Sequence, residues 1–144
     1  MIEFIFPEEL TTSLDEVSIR ERAALAYEFL SMDDKVISIK FCDDEEMHGL
    51  NKTYRGVNDT TDILSFNLDY EDPLSSKYYL GDIVISLPRA EKQAKEHVQS
   101  IEDEITFLLI HGMLHLLGHD HAEEEEKKVM FSRQEEIFQK VRGM

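Results

Sequence analysis

Ile105-Thr-Phe-Leu-Leu-Ile-His111-Gly-Met-Leu-His115-Leu-Leu-Gly118-His119-Asp120-His121 is the stretch that decides the fold. From Ile105 to Leu117 it is apolar nearly all round, and a helix of that kind is buried. His111 and His115 are four residues apart, a spacing that stacks both imidazoles on one helical face. Gly118 can adopt a left-handed conformation and end the helix. The chain can then turn and bring a third imidazole back toward the first two. A lone histidine on an apolar face is more often a hydrogen-bonded core residue than a ligand. Two buried together are costly without partners, and one shared cation satisfies both. Three neutral nitrogens with a fourth position open are how a catalytic zinc-type site is built.

Outward from this helix the chain alternates between the two periodicities. Ile2–Phe6 suits a short edge strand, and a helix follows Pro7 and ends near Leu30, with Leu14, Val17, Ala24, Leu25 and Phe29 for its buried side. Val36–Phe41 is rich in β-branched residues and reads as a strand. Asp43 or Asp44 can cap a helix running to about Tyr54. Ile63–Phe66 and Ile83–Ser86 are two further short strands joined by a polar stretch containing Pro73. Pro88 can open a helix that continues through Arg89–Gln99. Helices over Ile101–Leu117 and Glu123–Val141 complete the chain, the last with Val129, Met130, Ile137, Phe138 and Val141 at helical spacing. The expected class is α+β: residues 1–144 as one domain, a small mixed sheet of about four strands covered by helices.

Composition narrows the function classes. The net charge is −16, which excludes a uniformly basic nucleic-acid binder. Residues 1–50 carry −9, residues 51–100 carry −2 and residues 101–144 carry −5. A local basic face is therefore expected in the middle third, with Lys52, Arg55, Arg89, Lys92 and Lys95 as its candidates. Lys92 and Lys95 also suit ordinary solvated helix surface. Cys42 is the only cysteine, so no internal disulfide forms and a reducing cytoplasm is the expected compartment. No apolar run approaches the ~18 residues of a membrane span, and the acidic N-terminus is unlike a signal peptide.

His111-x3-His115-x5-His121 matches the zinc-binding spacing of metzincin proteases, HExxHxxGxxH, including the intervening glycine. In those enzymes a glutamate after the first histidine is the general base. Here that position is Gly112, and a peptidase reading loses most of its weight. Spacing alone leaves His119 or His121 as third ligand; a helix that stops at Gly118 favours His121.

The motif HGMLHLLGHDH resembles the signature of the YbeY-type rRNA maturation endoribonucleases, HGxLHLxGYDH. Asn51-Lys-Thr-Tyr-Arg55 with Thr61-Asp-Ile-Leu-Ser-Phe66 resembles that family's second block, and Leu80-Gly-Asp-Ile-Val-Ile-Ser86 its third. One departure is His119, where the family commonly has tyrosine. The resemblance implies a single-strand-specific, metal-dependent endoribonuclease. Its expected work is rRNA processing, especially 3′-end maturation of small-subunit rRNA, and ribosome quality control. It also implies His111, His115 and His121 as ligands of one Zn2+, or nickel or another divalent metal, with Arg55 important for activity. The expected partners are single-stranded rRNA, the ribosomal small subunit and ribosome-associated proteins, with no membrane.

Chemically, such an ion can polarise a phosphoryl oxygen. Arg55 can hold a phosphate oxygen bidentately, or alternatively form a surface salt bridge with Asp59 or Asp62. Asp120 can orient a ligand imidazole from behind, or cap the local turn. Asp62 and Asp82, beside predicted strands, are candidates to line the cleft. Glu123–Glu126 suit the first turn of the last helix, where the dipole favours acids. Two other classes remain open: a metal-binding ribosome assembly factor with little hydrolysis, and a metallohydrolase acting on another substrate.

Overall fold

A computed structural model describes residues 1–8, 13–119 and 123–143. It contains a four-stranded mixed sheet and five helices: β1 (Ile2–Ile5), α1 (Glu16–Phe29), β2 (Lys35–Cys42), α2 (Asp44–Arg55), β3 (Ile63–Glu71), β4 (Tyr78–Ser86), α3 (Leu87–Glu96), α4 (Ile101–Leu116) and α5 (Glu124–Arg142). Strand order is β1-β2-β4-β3. β1, β2 and β4 run parallel, and β3 pairs antiparallel with β4. The α+β class is therefore observed, with β1 and β3 as the edges. Among the described residues no helix is long and apolar enough to cross a membrane.

Side-chain alternation gives the sheet two unlike faces. Ile37, Ile39 and Phe41 of β2, with Ile83 and Ile85 of β4, join α1, α4 and α5 in the main core. On the other face Cys42, Leu64 and Val84 pack against Met47 of α2 in a smaller cluster. The central apolar helix lies on the first face. Its residue Gly112 is buried, and a Cβ added there would come within 3.0–3.1 Å of three Ile83 side-chain atoms. At Gly81 an added Cβ would lie 2.2 Å from the Phe66 carbonyl oxygen and 2.6 Å from Leu116. Two glycines thus let α4 and β3 close down on β4.

The caps follow the sequence chemistry. Asp43 accepts the Glu46 amide at 2.8 Å and starts α2, while Ser100 accepts the Asp103 amide at 3.0 Å and starts α4. At the end of α4 the Gly118 N–H donates to the His115 carbonyl and the His119 N–H to the Leu114 carbonyl, both at 3.0 Å. Gly118 has φ +97. This is a Schellman stop, and the helix ends where the glycine placed it.

Three expectations differ from the structure. β3 and β4 are each nine residues long rather than four, because the stretch expected as a connecting loop is mostly a solvent-facing hairpin arm. Residues 67–71 are exposed, yet Leu68 and Tyr70 continue the alternation of Leu64 and Phe66, a strand signal that runs past the expected end of β3. α1 begins later than expected, capped by Asp15, and buries Ile19, Ala23, Ala26 and Tyr27, while Val17 is 65% exposed. Its alanines leave several faces equally apolar, and the Tyr27 hydroxyl, which donates to the Lys35 carbonyl, selects the orientation. Val129 of α5 is likewise exposed, whereas Met130, Ile137, Phe138 and Val141 are buried as expected.

Two substitutions test this packing. Gly81→Ala should cost about 3 kcal/mol, since the colliding atom is backbone and cannot swing away. Val98, between α3 and α4, has φ +54 and is 91% exposed. A β-branched residue is strained there, so Val98→Gly should raise stability by about 1 kcal/mol. Urea denaturation midpoints check both signs.

Candidate functional site

The close approach at Gly112 sets the rotation of α4 and so decides where its histidines point. With Gly112 against Ile83, the glutamate position of the protease motif faces the sheet. A carboxylate at 112 would enter the core rather than meet a substrate, which gives the glycine a packing reason.

His111 and His115 are half-buried, with ring centroids 4.9 Å apart and planes at 66°. Gln134 of α5 is 1% exposed and stands behind His111. Its Oε1 lies 3.4 Å from His111 Nδ1, and its Nε2 donates to the Phe107 carbonyl at 3.2 Å. That second bond fixes which way the amide points, so the oxygen faces the ring. An oxygen can only accept, so a neutral His111 making this contact carries its proton on Nδ1. Two adjacent imidazoles, one with its tautomer set by a buried amide, fit a metal of the zinc type. Asp120 and His121 lie outside the described residues, and among those described no group of three potential ligands converges. His119 follows the helix stop and, with Gly118, Glu125, Glu126 and Val129, lines a cavity of about 280 Å³.

Arg55 is the last residue of α2, exposed, and followed by Gly56 at φ +69. It makes neither expected salt bridge. The Asp59 carboxylate accepts the Thr60 amide at 2.8 Å, and Asp62 accepts the Thr61 hydroxyl at 3.2 Å. The loop after Arg55 is instead held by buried Asn51, whose side chain donates to the Asp59 carbonyl at 3.0 Å. Tyr54, beside Arg55, packs edge-on against Phe66 with centroids 5.4 Å apart. Asn67, the next residue of β3, donates from its side chain to the Leu116 carbonyl at 3.0 Å, beside His115. The end of α2 and the end of α4 therefore contact neighbouring residues of edge strand β3, Phe66 and Asn67, from opposite faces of the sheet.

The family model for endoribonuclease YbeY matches residues 8–142. The chain belongs to the endoribonuclease YbeY family. A protein of Halalkalibacterium halodurans named endoribonuclease YbeY is 40% identical over 147 residues, covering 95% of this chain and 92% of the relative. One of the same name from Persephonella marina is 44% identical over 132 residues, covering 91% and 86%. A solution structure from Thermotoga maritima superposes with a TM-score of 0.67 at 28% identity, covering 99% of this chain and 90% of that one. Membership in the YbeY family supports RNA as the substrate class and hydrolysis as the reaction.

The other sequence candidates fall in separate places. Asp82 pairs in register with Ser38 and Phe66, on the α2 face of the sheet, so it lies opposite the histidines. The Asp62 backbone carbonyl accepts the Ser86 amide. Lys52, Lys92 and Lys95 are exposed and Arg89 is half-buried; Lys95 pairs with Glu91 at 3.6 Å, as solvated helix surface does. Glu124–Glu126 form the first turn of α5, with Glu123 just before it.

Gln134 was the residue that sequence reasoning missed. It sits four after Met130 and three before Ile137, a polar residue on the apolar stripe of α5, and that was its signal. Gln134→Leu should lower zinc affinity roughly 10–100-fold with the fold intact, whereas Gln134→Glu, which keeps an acceptor, should retain it. Competition with a zinc-sensitive dye measures both.

Proposed function

We propose that the protein is a single-strand-specific, metal-dependent endoribonuclease that matures the 3′ end of small-subunit rRNA and serves ribosome quality control in the cytoplasm. His111, His115 and His121 hold one Zn2+, with nickel or another divalent ion fitting the same donors, and Asp120 orients a ligand imidazole. The observation that carries this reading is the adjacent histidine pair backed by a buried amide.

The residues divide the work. The bound ion would supply a Lewis acid next to a phosphodiester. Gln134 holds the His111 proton at Nδ1, away from the donor side of the ring. Arg55, without an ion pair among the described residues, offers a planar fork of donors to a non-bridging phosphate oxygen and opposes charge that grows during cleavage. Gly112 leaves the helix without the protease carboxylate, which favours a phosphodiester over a peptide as substrate.

An overall charge of −16 repels RNA, while Arg55 and Lys52 give only a small positive area. Few phosphate contacts mean modest affinity for naked RNA and a shallow salt dependence, with a log–log slope between about −1.4 and −2.1 for two or three contacts on a single strand. Ribosomal or ribosome-associated proteins then deliver the substrate.

Arg55→Ala should slow cleavage of a single-stranded RNA by about 100-fold or more while binding zinc as wild type does. His115→Ala should lose both cleavage and zinc. Cells carrying either variant should accumulate small-subunit rRNA with unprocessed 3′ ends. Normal 3′ ends with folded His115→Ala protein would instead favour a role other than cleavage.

A further inference from the structure

The sheet face opposite the histidines carries a groove that the histidine chemistry does not use. It is a cavity of about 410 Å³ between α2 and the strands, lined by Lys40, Leu50, Tyr54, Phe66, Asp82 and Val84 among others. Its floor is apolar. Tyr54 is 66% exposed and Leu68, at the rim, is 50% exposed, so aromatic and aliphatic surface stands open to solvent. The edge-on contact with Phe66 holds the Tyr54 ring in place.

The polar wall is specific. Asp82 accepts the Ser38 hydroxyl at 2.6 Å, which fixes its carboxylate. Lys40 is one register step along the same face, with its ammonium 2.9 Å from Glu46. That hydrogen bond raises the Lys40 pKa and keeps the group charged. A fixed acceptor beside a fixed donor, over an apolar floor with aromatic rings, is the complement of a nucleobase edge. Guanine matches it best: its N1–H and N2–H2 donors lie side by side for one carboxylate, and its O6 accepts from an ammonium. Outside the groove, Arg55 and Lys52 are exposed on the last turns of α2, placed for the flanking phosphates.

We propose that this groove binds one unpaired base of the RNA substrate, preferring guanine, stacked on Tyr54 over the apolar floor and read by Asp82 and Lys40. The site rests on the endoribonuclease reading and deepens it. Tyr54 of the groove packs on Phe66, and the next residue of edge strand β3, Asn67, donates to the Leu116 carbonyl one residue after His115. An RNA strand crossing that edge runs from the groove to the end of α4 that carries the histidines, and the held base fixes which phosphate reaches them. Stacking on exposed aromatic side chains is the usual way a protein grips single-stranded nucleic acid.

The test uses zinc-loaded protein and labelled eight-nucleotide 2′-O-methyl RNAs, which resist cleavage, containing either one guanine among uracils or uracil only. Fluorescence anisotropy should show that wild type prefers the guanine strand. Tyr54→Leu should weaken its binding by about 10-fold or more, and Asp82→Asn should abolish the preference. Tyr54 is largely exposed and Asp82→Asn keeps its shape, so both variants should fold; circular dichroism confirms it. Equal affinities for wild type and both variants, while wild type still cleaves ordinary RNA, overturn the base site and leave the surface to a protein partner. Failure of wild type to cleave RNA at all would instead remove the endoribonuclease reading beneath it.

Discussion

The contact between Gly112 and Ile83 is the constraint on which the rest depends. An apolar helix must bury most of its surface, and α4 does so by pressing its glycine onto a central strand. That close approach fixes its rotation about its own axis. His111 consequently turns toward Gln134 of α5 with His115 beside it, while Leu116 reaches Gly81 and its carbonyl accepts from the Asn67 side chain. A side chain at 112 would lift the helix off the sheet and move every one of these groups. The glycine that separates this motif from the protease motif is therefore a packing residue as much as a missing base.

Around that contact the molecule keeps its charges in two kinds of environment. Asp103, nearly buried, is held by Arg22 at 2.6 Å and by Arg142 at 3.4 Å, which ties α1 and α5 to the start of α4. Glu104, 1% exposed, is held by His97 at 2.7 Å and Gln99 at 3.0 Å. Removing one partner of such a group is costly because the other is left buried and unpaired. Arg55 is the opposite case: exposed, without an ion pair among the described residues, and anchored through its backbone by the Asn51 and Gly56 turn. A cation left uncompensated on an acidic protein suits an anionic ligand.

Much of the fold was legible in the sequence because its signals are local. Caps at Asp43, the stop at Gly118 and the apolar run before His111 each state one element boundary or one buried face. What was not legible depends on which surfaces meet. The outer half of β3 is exposed although Leu68 and Tyr70 alternate with polar neighbours, so its apolar residues meet no core and the length of the hairpin depends on its pairing with β4. The orientation of α1 turns on one tyrosine hydroxyl among interchangeable alanines. For the site, the motif placed His111 and His115 on one face, as the structure does. The motif held no trace of Gln134, which arrives from another helix, nor of the sheet face on which Asp82 falls. Strand alternation was the available clue there, since Ile83 and Asp82 are neighbours and only one can face the core.

The central claim is that the histidine cluster on α4 works by holding a single zinc-type ion beside RNA. Its most direct test is the cleavage rate of a single-stranded RNA by protein stripped of metal with a chelator, then titrated with zinc. The account predicts negligible cleavage by the stripped protein and recovery that saturates at one ion per chain. Full activity in demonstrably metal-free protein would contradict it.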